Sequence, residues 1–151
     1  MTAHVPRAGT PLDATRLKRL LGYNLRRAEV RMRGLVAEAL GRDDLRAVEY
    51  SMLSLLASNR GVTHKQLGEA LSVKRPNLVA LVDRLEARGL IERAVVDLDR
   101  RSQSLALTAA GSALLARMDA RLDALEAAFF ATWSARDKAS LRALLTRIQD
   151  Q

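Results

Sequence analysis

The chain has 151 residues, of which 48% are hydrophobic and 28% are charged, so it can bury a core and keep a well-solvated surface. Aromatic residues make up only 3%, and this balance favours helices packed on helices over a β-sandwich. The net charge of +8 indicates a polyanionic partner, most commonly nucleic acid, although an arginine-rich genome would give the same excess.

Cysteine is absent, which excludes disulfides, thiolate zinc sites, iron–sulfur clusters and thiol redox switches. No apolar segment resembles a signal peptide, and no stretch approaches the roughly 18 apolar residues of a membrane span. We therefore expect a soluble, cytoplasmic protein with no membrane partner and no cofactor.

The N-terminal third is predicted to be a flexible tail followed by one long helix. Residues 1–12 contain Pro6, Gly9 and Pro11, which favour a mobile tail. From Asp13 to Leu40, leucine and alanine recur with a loose 3.6-residue period, and Gly41 is typical of a helix end. Such a helix is too long to be covered by its own small chain, so we expect it to pack on a partner helix.

Three shorter helices follow in the predicted order. The first covers about Arg46–Ser58. The next begins at Thr63, which forms a capping box with Gln66, and it ends in a turn at Leu71–Lys74. The third runs from about Arg75 to Arg88, and one stripe of it is apolar: Leu78, Leu81, Val82 and Leu85.

The hydrophobic period then changes from helical to alternating. Leu90–Val96 and Ser104–Thr108 are predicted to form a two-stranded β-hairpin whose tip is Asp97–Ser102. A fifth helix is expected to start after Thr108, its N-cap, and to reach about Thr132. A sixth follows Ser134, which forms a capping box with Asp137. The fifth helix carries a near-heptad seam that suits packing between subunits: Leu114, Met118, Leu122, Leu125 and Phe129.

A short helix, a turn and a longer helix with basic and amide residues at its start match a DNA-binding helix-turn-helix. Arg75 can pair with guanine and Asn77 with adenine, while Pro76 and Ala80 suit a thymine methyl group. An ordinary solvated helix face is the alternative. The candidate DNA-binding residues of the two helices are Thr63, Lys74, Arg75, Pro76, Asn77, Ala80 and Arg84.

The hairpin tip supplies a second candidate contact with DNA. Arg100 and Arg101 are placed to enter a narrow minor groove, whose negative potential attracts arginine. Asp99 would repel DNA by itself, so we interpret it as a carboxylate that orients one of these guanidinium groups. A polar turn with incidental charge remains the alternative.

Three segments together resemble the MarR family of winged-helix regulators: Leu81–Arg93, Asp99–Arg101 and Leu107–Gly111. The broader resemblance covers about Leu17 to Ile148. It implies a mainly α, winged-helix fold with six helices and a two-stranded β-wing. It also implies a homodimer in which residues 13–42 and 109–151 form a helical dimerisation region, while residues 43–108 form the DNA-binding domain.

The resemblance further implies a transcription regulator that binds a pseudo-palindromic operator in double-stranded DNA. We expect a repressor released by a small phenolic, carboxylate or acyl-coenzyme A effector, although activation is not excluded by the sequence. Two departures bear on DNA preference. Lys74 stands where the family usually has serine, which removes an N-cap oxygen, and Val96–Asp97 replaces the usual Asp-Pro or Asn-Pro.

The residues that could line an effector pocket lie on three predicted helices: Tyr23, Arg26, Arg27, Tyr50, Ser51, Ser54, Met118 and Leu122. Core aromatics and solvated cations explain the same residues equally well. With two distant histidines and no cysteine, neither a metal site nor peroxide sensing is expected.

An enzyme and an architectural DNA-coating protein are the two alternative classes of function. An enzyme is not expected, because no catalytic triad, phosphate loop or metal motif is present. A nucleoid-like architectural protein that coats DNA is the more serious rival, and Arg75 and Asn77 argue against it because such a protein lacks base-recognising residues.

Overall fold

The computed structural model describes residues 12–95 and 103–150. These residues form a mainly helical fold with one small antiparallel sheet, which confirms the predicted fold class. Within the described ranges, none of the helices combines the length and apolar character needed to cross a membrane. The elements in chain order are α1 (Thr15–Lys18), α2 (Leu21–Gly41), α3 (Ala47–Ser58), β1 (Val62–Thr63), α4 (His64–Leu71), α5 (Arg75–Ala87), β2 (Ile91–Val95), β3 (Gln103–Leu107), α6 (Ala109–Phe129) and α7 (Ala135–Gln149).

The chain divides after Val36 into two compact units, and α2 spans the boundary. In the first unit, the single helix predicted from residue 13 to 40 is wrong at one point, because α1 ends at Lys18 and α2 begins at Leu21. The side-chain amide of Asn24 donates to the carbonyl oxygens of Lys18 and Leu20 at 2.8 and 3.0 Å. It thereby supplies a partner to the Lys18 carbonyl at the break, whereas the Leu20 carbonyl also accepts the Asn24 backbone N–H at 3.2 Å.

The core of the second unit lies among α3, α4, α5, α6 and the sheet. The apolar stripe predicted for α5 is confirmed, since all four of its members are buried. The proposed intersubunit seam on α6 is wrong for Leu114 and Met118, which are 4% and 0% exposed within their own chain. The side chains of Leu114 and Met118 are buried in the core of their own chain, so they cannot contact a second subunit.

The sheet has the order β1-β3-β2, and both pairs are antiparallel. The predicted hairpin is confirmed, with Ile91 opposite Leu107 and Val95 opposite Gln103. The third strand, β1, was not predicted because two residues are too short to show an alternating pattern. It places Val62 opposite Leu105 and so ties the start of α4 to the base of the hairpin.

Capping residues set the starts of three helices as predicted. The Gln66 backbone N–H donates to Thr63 Oγ1 at 3.3 Å, and the Thr63 N–H donates back to Gln66 Oε1 at 2.9 Å. Ser134 and Asp137 form the same reciprocal pair at α7. Thr108 Oγ1 accepts from the backbone of α6, so each of these helices begins where its first free N–H groups find a side-chain acceptor.

Candidate nucleic-acid interface

The turn between α4 and α5 fixes the position of the second helix. Ser72 adopts a left-handed conformation with φ of 53°, and the Val73 N–H donates to the Gly68 carbonyl at 3.0 Å. A Cβ atom at Gly68 would lie 3.3 Å from the Val73 oxygen and 3.4 Å from Leu78 Cδ2. A glycine here therefore lets the turn and α5 approach α4 closely.

The first turn of α5 presents polar side chains to solvent. Lys74 is its N-cap and forms no side-chain cap, as the departure from serine predicts, and Pro76 occupies the first turn. Lys74, Arg75 and Asn77 are exposed, and within the described parts of the chain their side chains form no hydrogen bond or ion pair. Together with the free N–H groups and positive dipole of a helix N-terminus, they form a basic end suited to an anionic partner.

The face of α5 opposite its buried stripe continues past that turn. Ala80 is exposed as predicted, and Val79 beside it is 43% exposed although its side chain is apolar. Sequence reasoning missed Val79. Its spacing of three residues after Pro76 places both on one helix face and could have identified it.

Arg84, predicted as a DNA contact, is engaged within the protein. Its Nη1 donates to Glu49 Oε1 at 2.8 Å, and its Nη2 donates to Asp44 Oδ2 at 2.8 Å. Glu49 is fully buried, and its second oxygen accepts the Arg46 backbone N–H at 2.8 Å. This arrangement favours a role for Arg84 in positioning α5 against α3. This pair could not be predicted from the sequence, because its members lie 35 residues apart.

Asp43 and Asp44, which we call the acidic loop, accept hydrogen bonds from arginine side chains of two helices. From α5, Arg88 donates to the carbonyl oxygens of Asp44 and Asp43 at 2.7 and 2.9 Å. From α6, Arg121 donates to Asp43 Oδ2 at 2.7 Å, and Arg117 lies 3.4 Å from Oδ1. The hydrogen bond from Arg121 lowers the pKa of Asp43, and that from Arg84 lowers the pKa of Asp44, so both carboxylates stay charged at neutral pH.

The hairpin is tied to α5 by one arginine. Arg93 of β2 pairs with Asp83 at 3.4 Å and with Glu86 at 3.1 Å. The predicted tip residues Asp99, Arg100 and Arg101, and the Val96–Asp97 turn, lie outside the described residues. Thr63, a predicted DNA contact, is half-buried, and its hydroxyl is engaged within α4, where it donates to Gln66 Oε1 at 2.9 Å and accepts from the Gln66 N–H.

The candidate effector residues of the first unit include one interacting pair. Arg27 Nη1 donates to the Tyr23 hydroxyl at 3.3 Å, and its guanidinium lies 5.9 Å from the centre of the same ring. Arg26 is exposed on the same helix.

The candidate effector residues of the second unit are mostly engaged internally. Tyr50 donates its hydroxyl proton to Asp119 Oδ1 at 2.7 Å, and burial together with this carboxylate raises the pKa of Tyr50 to about 12. Ser51 Oγ donates to its own helix backbone at 3.1 Å, and Met118 is fully buried. These contacts favour the core interpretation of Tyr50 and Met118, while Ser54 and Leu122 are half-buried.

Comparisons with known proteins agree with this architecture. The model of the MarR family matches residues 43–102. A putative transcriptional regulatory protein for the hcr operon of Thauera aromatica is 31% identical over 132 residues, which is 87% of this chain and 80% of that protein.

Two solved structures of the transcriptional repressor CouR are similar over nearly the whole chain. CouR bound to a 23-mer DNA duplex has a TM-score of 0.86 and 33% identity, and the match covers 93% of this chain and 99% of that one. CouR bound to p-coumaroyl-CoA has a TM-score of 0.81 and 30% identity, covering 92% and 98% of the two chains. With a winged helix and relatives at this level of identity and coverage, the chain belongs to the MarR family of transcriptional regulators.

Proposed function

We propose that this protein is a homodimeric repressor that binds a pseudo-palindromic operator with the first turn of α5 in the major groove. The observation that carries the proposal is the exposed set Lys74, Arg75 and Asn77, which has no partner among the described residues and lies on a helix whose other face is buried. The major groove admits one α-helix, and arginine and asparagine recognise guanine and adenine there. The similarity to a DNA-bound repressor supports the same role.

The hairpin and the start of α4 extend the proposed contact beyond the major groove. Arg100 and Arg101 enter the adjacent minor groove, with Asp99 orienting one of them, while Thr63 and Lys74 contact phosphates. Support comes from the strand register, which holds the base of the hairpin against β1 directly before α4. The base of the hairpin and the residues that precede α4 therefore belong to one sheet.

The proposed dimer rests on apolar surface that the chain does not cover. No residue of α7 is buried, yet a helix of 15 residues is marginal in water without packing. Large apolar side chains are exposed on α7 and just before it: Phe129, Trp133, Leu144 and Ile148. We propose that residues 13–42 and 109–151 form the dimerisation region and that residues 43–108 bind DNA.

For the effector we propose an aromatic carboxylate or its coenzyme A thioester. CouR is solved with p-coumaroyl-CoA bound. In this chain, residues 12–36 contain seven lysines or arginines against two acidic residues, a balance that suits the phosphates of coenzyme A. Tyr23, Arg26 and Arg27 lie in this basic segment, and we propose that they contact the ligand.

The test of operator binding begins with selection of duplexes from a random pool, followed by footprinting and sedimentation. A discrete protected palindrome bound by a dimer is expected. Arg75→Ala should weaken specific binding and reduce the salt dependence by about one ion, whereas Arg46→Ala at the exposed start of α3 removes the same charge without either effect. Uniform coating of DNA, with no selected sequence, would instead establish the architectural alternative.

The effector proposal has its own test on the selected operator. p-Coumaroyl-CoA, p-coumarate and coenzyme A are each titrated into the protein–DNA complex at fixed salt. The proposal is supported if the thioester or the free acid releases the protein from the operator and if the Arg27→Ala variant is no longer released. No release by any of the three, with operator binding intact, would remove the effector claim and leave the DNA-binding claim standing.

A further inference from the structure

One face of α5 changes chemical character after its first turn. Pro76, Val79, Ala80 and Asp83 follow the spacing i, i+3, i+4 and i+7, so they form a single stripe along the helix. All four are exposed, and the buried stripe of α5 lies on the other side. The three residues nearest the helix start have only apolar side-chain atoms.

The longer polar side chains of α5 are held away from this stripe. Arg84 is paired with Glu49 and Asp44, and Arg88 donates to the backbone of the acidic loop. At the far end of the stripe, Asp83 is paired with Arg93 of β2 at 3.4 Å. Hydrogen-bond donors available to an outside partner are therefore confined, within the described part of α5, to its first turn.

From this division we infer that Val79, flanked by Pro76 and Ala80, contacts the 5-methyl group of a thymine in each operator half-site. The inference rests on the proposed function, in which this face of α5 enters the major groove. Thymine is the one base that presents a methyl group there, and apolar side chains are its ordinary partners. Recognition is thus divided along the helix: hydrogen bonds to base edges from the first turn, and methyl contacts one turn later.

The experiment uses the selected operator and copies of it in which single thymines are replaced by deoxyuridine. This replacement removes the methyl group and keeps the base pairing. For the wild-type protein we expect one thymine per half-site at which the replacement weakens binding about three- to fivefold, the effect of one buried methyl group. Val79→Ala should weaken binding to the thymine operator and be insensitive to the replacement at that position.

Two controls separate the methyl contact from other effects. Val48→Ala shortens a half-buried valine of α3, apart from the residues proposed to contact DNA and from the proposed dimerisation region, and it should retain the wild-type response to deoxyuridine. Val79→Thr, which keeps one methyl group and the branched shape, should retain part of that response. Circular dichroism and thermal melting should show each variant folded, since Val79 is exposed and Val48 is only half-buried.

The outcomes distinguish this inference from the function on which it rests. The inference is supported if, in a double-mutant cycle, the losses of binding free energy caused by Val79→Ala and by deoxyuridine are coupled rather than additive. Additive penalties, or no thymine whose methyl group matters, overturn the methyl contact while operator binding by α5 stands. Failure to select any sequence from the random pool overturns the proposed function itself, and the methyl contact with it.

Discussion

Gly111→Ala tests the packing of α6 against Leu90, the residue that precedes β2. Gly111 is the third residue of α6, and its N–H donates to Thr108 Oγ1 at 3.0 Å. A Cβ atom there would overlap the Leu90 carbonyl oxygen and lie 2.9 Å from its carbon and 3.2 Å from Leu107 Cδ2. The obstacle is backbone on one side, so no rotation of a flexible side chain relieves it.

The magnitude follows from three contributions. Forcing one methyl group into a packed site costs about 1–3 kcal/mol. Moving Leu90 away also strains the bonds from the Thr108 N–H to the Leu90 oxygen, at 3.2 Å, and from Thr108 Oγ1 to the Gly89 oxygen, at 2.6 Å. These contribute about 1 kcal/mol each. The higher helix propensity of alanine offsets at most about 1 kcal/mol, so the expected net loss in the free energy of unfolding is about 2–4 kcal/mol.

The assay is urea and thermal unfolding at one fixed protein concentration, because the stability of the proposed dimer depends on concentration. For a chain of this size, the loss corresponds to a melting temperature lower by about 4–15 °C. Gly34→Ala is the matched control, since a Cβ at this helical glycine meets nothing within 4 Å, and it should be neutral or stabilising by about 1 kcal/mol. If Gly111→Ala melted with or above the wild type, the close approach of α6 to Leu90 would be refuted.

Three further perturbations follow from the site and the uncovered surfaces. The pKa of Asp43 is lowered in the fold, chiefly by Arg121, so its carboxylate stabilises the protein above about pH 4 and this contribution is lost as the pH falls through the folded-state pKa. The stability difference between wild type and Asp43→Asn in urea unfolding should therefore be full at pH 7 and shrink below pH 4; a constant difference would contradict this. Asn77→Ala should reduce the preference for operator over random duplex by about 1–3 kcal/mol in competition binding and leave random binding unchanged; equal losses on both would reject base recognition. Leu144→Lys should shift the sedimenting species from dimer to monomer, whereas Thr146→Lys, which changes another face of α7, should not. If both variants remained dimeric, the proposed interface on α7 would be rejected.

Features encoded by neighbouring residues were predictable from the sequence. The capping boxes at Thr63 and Ser134 depend on residues three positions apart, and both are present in the structure. The buried stripe of α5 depends on helical periodicity, and it too was correct. Local hydrogen bonding and the 3.6-residue period act within one element, so a single sequence contains the information needed to infer them.

Features that depend on pairing between distant segments were not predictable. The Arg84–Glu49 pair joins α5 to α3, and neither residue differs in sequence from a solvated charge. The periodicity of α6 showed that Leu114 and Met118 face a partner, but not that the partner is α3 of the same chain. Periodicity identifies an apolar face and is silent about which surface covers it.

The pairings between distant residues meet at the acidic loop, which contacts arginines of both α5 and α6. Asp44 and the backbone of the loop hold Arg84 and Arg88 of α5, while Asp43 holds Arg117 and Arg121 of α6. Charge-assisted hydrogen bonds are short and directional, so two adjacent residues fix both helices relative to each other. A shift of α6 therefore changes the contacts of the same loop that positions α5. Since the first turn of α5 carries the exposed Arg75 and Asn77, the angle at which these side chains are presented depends on residues that never need to touch DNA.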